Sequence, residues 1–283
     1  MKIVEPSATI IEKELADLSV YQRIDRCASV CYQRPPKPTE EEAEKFCLKL
    51  IDSGHLPALE FAVLHLIMNE YCVPETSYLH TNYINGDEVI VSGSFRAFME
   101  ADYVQDTANF LSDKYSLFFN GNSTEDAPVR FAEVDEIPWQ HLHVAVRVVC
   151  SRAISHELVR HRPCSFLQES QRFCKYNESV TFIQPKWATE TLLMYKYFEE
   201  QCWLIESMYK SRSRLGLSPQ QARGILSNDT KTELIIYASL LEWKHIFKMR
   251  CATAADPEMK RIMIPLREQF RAEYPDMWEG EVA

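Results

Sequence analysis

The chain has 283 residues, of which 46% are hydrophobic, so it is long enough to bury a sizeable core as one large domain. Its formal net charge of -10 repels polyphosphate, which argues against the binding of bulk DNA or RNA. The nine cysteines are irregularly spaced and form no CxxC pair, which indicates reduced thiols rather than a disulfide framework or a zinc site. The N-terminal residues lack the apolar core of a signal peptide, and no stretch approaches the ~18 consecutive apolar residues of a membrane span. We therefore expect a cytoplasmic protein, or one of the host cytoplasm if the gene is viral.

The first part of the chain is predicted to form short strands around a helix. Residues 3–12 indicate a strand and a turn. Thr39 and Glu42 form a capping box, which predicts the start of a helix that ends near Gly54, a residue suited to a left-handed stop. Residues 59–68 are continuously apolar enough to predict a buried strand.

Residues 70–138 differ from their flanks and are predicted to be an inserted element. Asn85-Gly86 is a typical turn between two hairpin strands, and β-branched residues follow it at 89–91. A helical run is predicted at 95–119, and residues 121–128 have the most loop-like composition of the chain. The core is then built from the two flanking regions of a single domain, residues 1–283.

The rest of the chain is predicted to contain more helix than strand. Residues 142–149 alternate and are rich in valine, which predicts a strand. Ser151 can cap a short helix that ends around His161, because Pro163 disfavours helical backbone at the residue before it. Further helices are predicted at 189–212, from Ser218-Pro219, at 230–250, and from Asp256-Pro257 with a kink at Pro265. The predicted fold class is α+β, with an antiparallel or mixed sheet and a helix-rich second half.

A concentration of cationic side chains follows the short helix. Arg160, His161 and Arg162 lie where the helix gives way to a loop, and Arg172 follows Ser170 a short distance later. Guanidinium groups present paired donors that match phosphate oxygens, and a serine hydroxyl adds a neutral donor. Two further side chains, Glu157 and Gln168, are able to read an amide or base edge by paired hydrogen bonds. The alternative is a solvated basic turn with inert surface ion pairs, but the apolar residues before the cluster argue against it.

The spacing of these residues resembles the RHR-x7-S signature of the flavin-dependent thymidylate synthases. Seven residues separate Arg160-His161-Arg162 from Ser170. Similar agreement with the family is found upstream and downstream, at Ala28-Ser29-Val30-Cys31-Tyr32, Ser53-Gly54-His55 with Glu60, Ala222-Arg223, His245 and Phe247-Lys248-Met249-Arg250. Residues 70–138 are then a large insertion relative to the shortest members, and residues 91–97 within it look like a segment of longer members.

The resemblance implies a reaction and its cofactors. Members convert dUMP to dTMP, with methylenetetrahydrofolate as the carbon donor and NADPH as the reductant of a bound FAD. They form homotetramers whose sites lie between subunits, and they use no cysteine nucleophile, which suits Cys164 as a bystander. The absence of a GxGxxG fingerprint agrees, since the family does not hold FAD on a dinucleotide-binding unit.

The resemblance also implies a role for each matched residue. The catalytic residues are Arg250, which contacts the uracil edge and favours its ionised form, and Ser170. Cofactor contacts are implied for His55, Arg160, His161, Arg162, Gln168 and His245. Contacts to dUMP are implied for Glu157, Arg160, Gln168, Ser170, Gln171, Arg172, Arg223 and Arg250, with Arg223 supplied by a neighbouring subunit.

Two departures and three alternatives stay open. The sequence has Glu157 where several members have glutamine, and Gln168 where several have glutamate, so the two identities look exchanged. A different modified pyrimidine nucleotide could be the product, or the chain could be a non-catalytic nucleotide- or RNA-binding protein. His141 and His143 could be two metal ligands on one strand face, although ordinary polar strand positions are more common, and no metal site is predicted.

Overall fold

The computed structural model describes residues 1–101, 105–116, 119 and 129–279. They divide into two compact units. Unit 1 comprises Met1–Asp17, Arg26–Pro36 and Val144–Ala283, and unit 2 comprises Leu18–Asp25 and Lys37–His143. The inserted element predicted at 70–138 lies within the range of unit 2, and the loop predicted at 121–128 lies outside the described residues.

The described residues form ten strands and ten α-helices. The strands are β1 (Lys2–Val4), β2 (Ser7–Ile10), β3 (Val63–Asn69), β4 (His80–Asn85), β5 (Glu88–Ser94), β6 (Val129–Phe131), β7 (His143–Ser151), β8 (Ser165–Gln168), β9 (Thr181–Ile183) and β10 (Lys231–Ser239). The α-helices are α1 (Glu12–Leu15), α2 (Val20–Tyr32), α3 (Glu40–Asp52), α4 (Phe95–Glu100), α5 (Gln105–Lys114), α6 (Arg152–Leu158), α7 (Leu192–Arg214), α8 (Pro219–Ala222), α9 (Leu240–Arg250) and α10 (Pro257–Glu273). Antiparallel sheets together with these helices confirm the predicted α+β class.

Unit 1 is built on a four-stranded sheet in the order β2-β7-β10-β8, beside a two-stranded parallel pair of β1 and β9. Strand β2 is antiparallel to β7, and β8 is antiparallel to β10. Strand β10 is buried along eight of its nine residues and leads directly into α9, which Ser239 caps by accepting a hydrogen bond from the backbone of Glu242. The sheet therefore fixes the position of α9 next to α6.

The predicted helix at 230–250 is wrong in its first half, because residues 231–239 form strand β10 and only Leu240–Arg250 is helical. Three consecutive residues, Leu234, Ile235 and Ile236, are at most 2% exposed, so side chains on both faces of the strand are buried. A strand that is buried on both faces loses the two-residue alternation that distinguishes a strand from a buried helix. Residues 56–61, whose last three were predicted to begin a strand, form a 3-10 helix before β3.

Unit 2 contains the second four-stranded sheet, in the order β4-β5-β3-β6, and all of its pairings are antiparallel. The predicted hairpin turn is confirmed, since Gly86 adopts φ +57° between β4 and β5, a conformation that favours glycine. The helical run predicted at 95–119 contains two helices, α4 and α5, and part of it lies outside the described residues.

Several predicted helix ends are confirmed. Thr39 accepts a hydrogen bond from the backbone of Glu42 at the start of α3, and Gly54 follows that helix with φ +72°. Helix α10 runs through Pro265.

All nine cysteines are free thiols. Over the described part of the chain, no helix is long and apolar enough to cross a membrane.

Candidate active site

Helix α6 fixes the start of the cationic segment. Ser151 at the end of β7 accepts a hydrogen bond from the backbone of Ile154, as the predicted cap requires. Two further N–H groups of the first turn donate to backbone carbonyls before β10, from Arg152 to Thr230 and from Ala153 to Asn228. All of these bonds satisfy donors that a helix start leaves free, so the residues that follow α6 emerge from an anchored element.

The end of α6 and the residues that follow it bind Arg250, the last residue of α9. The guanidinium group of Arg250 donates from Nε to Nε2 of His161 at 2.9 Å and from Nη1 to Oε2 of Glu157 at 2.7 Å. Its Nη2 donates to the backbone oxygen of Glu157 at 2.9 Å. The structure thus brings together three of the residues that the sequence selected, although 93 residues separate Arg250 from Glu157.

His161 is held neutral in this contact. Burial, followed by the Arg250 and His245 charges, lowers its pKa from 6.5 to about 4. Because Nε2 accepts the Arg250 hydrogen, the single proton of the neutral ring lies on Nδ1. That atom faces Oε1 of Glu242 at 3.8 Å, and the ring of His245 lies 6.2 Å from the His161 ring. We refer to His161, Glu242, His245 and Arg250 as the His161 cluster.

The His161 cluster contains the only group of three histidine, cysteine or acidic side chains, among the described residues, whose ligand atoms lie within 4.8 Å of one another: His161, Glu242 and His245. A neutral imidazole has one nitrogen lone pair, and on His161 that lone pair accepts the Arg250 hydrogen. Metal coordination by His161 would require this bond to break. The arrangement is therefore suited to hydrogen bonding rather than to a resident cation.

Arg160 and Arg162 flank His161 and extend outward. Both are exposed, and neither guanidinium group forms a hydrogen bond or ion pair with any residue that the structure describes. Two unpaired arginines next to a buried histidine form a surface ready to bind an anionic ligand.

Gln168 ends strand β8 and directs its amide into the sheet. Its Nε2 donates to Oγ of Ser155 at 2.9 Å and to Oγ1 of Thr232 at 3.1 Å. The Ser155 hydroxyl in turn donates to the backbone oxygen of Arg152. The amide of Gln168 is thus fixed by its two donors, and its oxygen is the atom that remains to accept a hydrogen bond.

Ser170 and Arg172 lie on a loop that is bound to the end of α2. The Ser170 N–H donates to the backbone oxygen of Cys31 at 3.0 Å, and the Ser170 hydroxyl accepts from the Arg172 N–H at 3.3 Å. Nε2 of Gln171 is buried and has no partner within the described residues. A buried donor without an acceptor is costly, so a ligand oxygen at this position would satisfy it.

Two predicted residues remain, Arg223 and His55. Arg223 starts the 3-10 turn after α8 and is exposed. His55 belongs to unit 2, where its Nδ1 lies 3.1 Å from Oγ of Ser53. Their roles stay predictions.

The sequence reasoning missed two side chains at this site. Gln220 accepts a hydrogen bond from Nε of Arg172 at 3.1 Å, and Glu242 faces His161. Glu242 precedes His245 by three residues, and residues at that spacing share one face of a helix, so the prediction of His245 carried the signal for Glu242.

His141 and His143 join a second group of histidines, in unit 2, which we call the Ser92 cluster. Nδ1 of His65 and Nδ1 of His141 lie 2.7 and 2.9 Å from the buried Ser92 hydroxyl. His80 is the cross-strand neighbour of Ser92, and Nδ1 of His143 donates to the backbone oxygen of His141. Over the described residues, these histidines do not bring three ligand atoms within 4.8 Å of one another, so the metal alternative gains no support.

Comparison with known proteins identifies the family. The sequence model of the family described as thymidylate synthase complementing protein (Thy1) matches residues 132–276, more than half of the chain. Three similar proteins, each named flavin-dependent thymidylate synthase, come from Pyrococcus furiosus (32% identity over 43% of this chain and 51% of the relative), Corynebacterium aurimucosum (30%, over 46% and 57%) and Mycobacterium tuberculosis (28%, over 44% and 56%). The chain spans about half the length of the curated relatives it matches. It belongs to the thymidylate synthase complementing protein family, the family of flavin-dependent thymidylate synthases that its sequence resembles.

Proposed function

We propose that this protein is a flavin-dependent thymidylate synthase that converts dUMP to dTMP in the cytoplasm, or in the host cytoplasm if the gene is viral. Methylenetetrahydrofolate supplies the carbon, NADPH is the reductant, and FAD is the bound cofactor. The core fold is that of the family, with residues 70–138 inserted. The observation that carries the proposal is the pair of unpaired arginines, Arg160 and Arg162, beside the buried His161 in an acidic chain.

The residues of the site fit FAD in their donor chemistry. Arg160 and Arg162 supply unpaired guanidinium donors for a diphosphate, and His161 supplies a neutral ring rather than a second full charge. We assign His55, His245 and Gln168 as further cofactor contacts. When bound, the flavin supplies the reducing equivalents of the reaction.

The loop of Ser170 and Arg172 is the proposed site of the dUMP phosphate and sugar. Ser170, Gln171 and Arg172 offer a hydroxyl, a buried amide nitrogen without a partner in the described part of the chain, and a guanidinium group, on a loop that backbone hydrogen bonds hold in place. Glu157 and Gln168 line the pocket, Arg160 also approaches the nucleotide, and Arg223 comes from a neighbouring subunit.

Arg250 is the proposed contact to the uracil edge. Oriented guanidinium N–H donors lower the free energy of the negative charge that develops on the ring, and the effect is largest where water is excluded. No cysteine is needed as a nucleophile. Burial, followed by the Glu242 charge, raises the pKa of Cys164, so its thiol is protonated at neutral pH.

Self-association as a homotetramer is supported by an apolar stripe on α7. Leu193, Tyr197, Leu204 and Met208 recur at helical spacing and are 50–78% exposed. Trp203 is 60% exposed next to this stripe. A second copy of the chain would cover it, and light scattering of the purified protein would measure the mass of the assembly.

Three measurements test the proposed function. The purified protein should carry flavin absorbance, whereas a colourless protein that takes up no FAD would indicate a non-catalytic nucleotide-binding protein. Mass analysis of a reaction with dUMP should find dTMP, and a different mass would indicate another modified pyrimidine. Expression should restore growth of a thymidine-requiring strain.

A further inference from the structure

The guanidinium group of Arg250 is committed to the protein on three of its five N–H bonds. His161 takes the Nε–H, the Glu157 carboxylate takes one Nη1–H, and the Glu157 carbonyl takes one Nη2–H. One N–H on each terminal nitrogen remains, and the described residues offer neither of them an acceptor. Two of the three bonds come from one residue, so Glu157 determines where the free pair of donors lies.

We propose that Glu157 is a positioning residue that fixes Arg250 for the nucleotide, rather than a direct contact to dUMP. This inference rests on the proposed function. A free arginine side chain has about 2 kcal/mol of rotamer entropy, which binding must otherwise overcome, and a clamp formed before the substrate arrives removes most of that cost. The bonds are short and charge-assisted, as such a clamp requires.

The charge of the pair also follows from Glu157. Its carboxylate compensates Arg250, so the nucleotide meets an oriented pair of N–H donors on a neutral ion pair. A glutamine at position 157 would still accept the Nη1–H through its amide oxygen, but it would leave the full cationic charge of Arg250 uncompensated. The identity of residue 157 therefore sets the charge at the uracil edge separately from the geometry.

Gln168 explains why the acid and the amide are not interchangeable here. The Ser155 hydroxyl uses its only proton on the Arg152 carbonyl, so its oxygen must accept, and it accepts from Nε2 of Gln168. A glutamate at 168 would place carboxylate lone pairs against that oxygen. The exchange of identities at 157 and 168 thus places the negative charge beside Arg250 and the amide donor beside Ser155.

A double-mutant cycle on the flavin-loaded enzyme tests the inference. Glu157→Ala should weaken dUMP binding, measured by calorimetry, by about 10- to 100-fold, as expected when a charged hydrogen-bonding group loses its orientation. Glu157→Gln should fall between Glu157→Ala and the wild type. In an Arg250→Ala background, Glu157→Ala should have no further effect beyond about twofold, because its only route to the nucleotide is absent. Additive losses would mean that Glu157 contacts dUMP itself and would overturn the proposal.

A second readout works without substrate and separates this inference from the proposed function. The Arg250 contact contributes to the low pKa of His161, about 4. Release of Arg250 in Glu157→Ala should therefore raise the His161 pKa, followed by NMR of the imidazole ring. If wild-type protein binds no dUMP but the titration still moves, the proposed function fails and the clamp stands. If the titration does not move, the clamp is overturned whatever the enzyme makes.

Discussion

Two groups of histidines, one in each unit, use the same chemistry for different ends. In the Ser92 cluster, serine and a backbone carbonyl satisfy the Nδ1 atoms of His65, His141 and His143 within the protein. In the His161 cluster, His161 is satisfied by Arg250, but Arg160, Arg162 and the remaining Arg250 donors have no partner among the residues that the structure describes. Burial lowers the pKa of His65 in the first cluster and that of His161 in the second. The difference lies in the unpaired donors around His161, and it is the reason that we propose a ligand site there and only a structural polar core around Ser92.

The contrast between the two histidine clusters depends most strongly on a functional role for Arg250. Arg250→Ala should lower dTMP formation by about 100- to 1000-fold, the usual effect of losing one donor to a developing anion. The fold should persist, because Glu157 is 36% exposed and water can solvate its released carboxylate. Product is measured by mass analysis, and circular dichroism checks the fold. Lys248→Ala, which removes an exposed cation of the same helix, is the control, and wild-type turnover by Arg250→Ala would refute the role.

The unpaired arginines provide the second test. Arg162→Ala should weaken FAD binding by about 10-fold or more, since a charge-assisted hydrogen bond to phosphate is lost. Titration of the flavin-free protein, followed by flavin fluorescence, gives the affinity. Arg214→Ala is the matched control, because Arg214 is also exposed and without a partner in the described part of unit 1. Equal affinities for the two variants would show that an unpaired arginine is no guide to the cofactor site.

Acid should act on the Ser92 cluster through protonation. Burial, followed by the His141 and Arg23 charges, lowers the pKa of His65 from 6.5 to about 4, and burial lowers that of His143 to about 3. Between pH 6.5 and 4 the unfolded chain binds protons that the folded chain does not. The contribution of neutral His65 to the free energy of unfolding is therefore fully present above pH 6.5 and is lost as the pH falls towards 4. Thermal unfolding across this range should show a shallower decline for His65→Gln than for the wild type. Identical pH profiles would exclude His65 as a source of the effect.

The smallest expected effect is on the free energy of unfolding, after removal of the Ser92 hydroxyl that His65 and His141 share. Ser92→Ala leaves Nδ1 of two histidines without a partner and should cost about 1–3 kcal/mol of unfolding free energy. Ser77→Ala, at an exposed position of the same unit, should stay within about 0.5 kcal/mol of the wild type. Denaturant unfolding measures both. A stable Ser92→Ala protein would mean that water replaces the hydroxyl and that the cluster is less closed than its geometry indicates.

Local signals in the sequence located most element ends, but not every element type. Caps at Thr39 and Ser151 and the stop at Gly54 act through neighbouring backbone groups, so they are readable from a few residues. Strand β10 was predicted as helix because burial on both faces erased its alternation. Strand β9, with three residues, is too short to show a period.

The site was predictable as a set of residues but not as a set of contacts. The RHR-x7-S spacing selected His161 and Ser170, and the resemblance selected Arg250. The clamp between Arg250 and Glu157 is a pairing between two helices 93 residues apart, and no local pattern encodes it. The same holds for the amide of Gln168, which donates to the Ser155 oxygen because the Ser155 hydroxyl donates its proton to the Arg152 carbonyl.

The carbonyl oxygen of Cys31 accepts two hydrogen bonds from residues distant in sequence, one from the Ser170 N–H and one from the Cys174 thiol. The loop that carries the signature serine is therefore folded against the last turn of α2, not against its own sequence neighbours alone. For protein engineering, this means that residues 157–176 cannot be moved into another protein as an independent segment. A transplant that leaves α2 behind would carry every side chain of the signature and lose the backbone position of its serine.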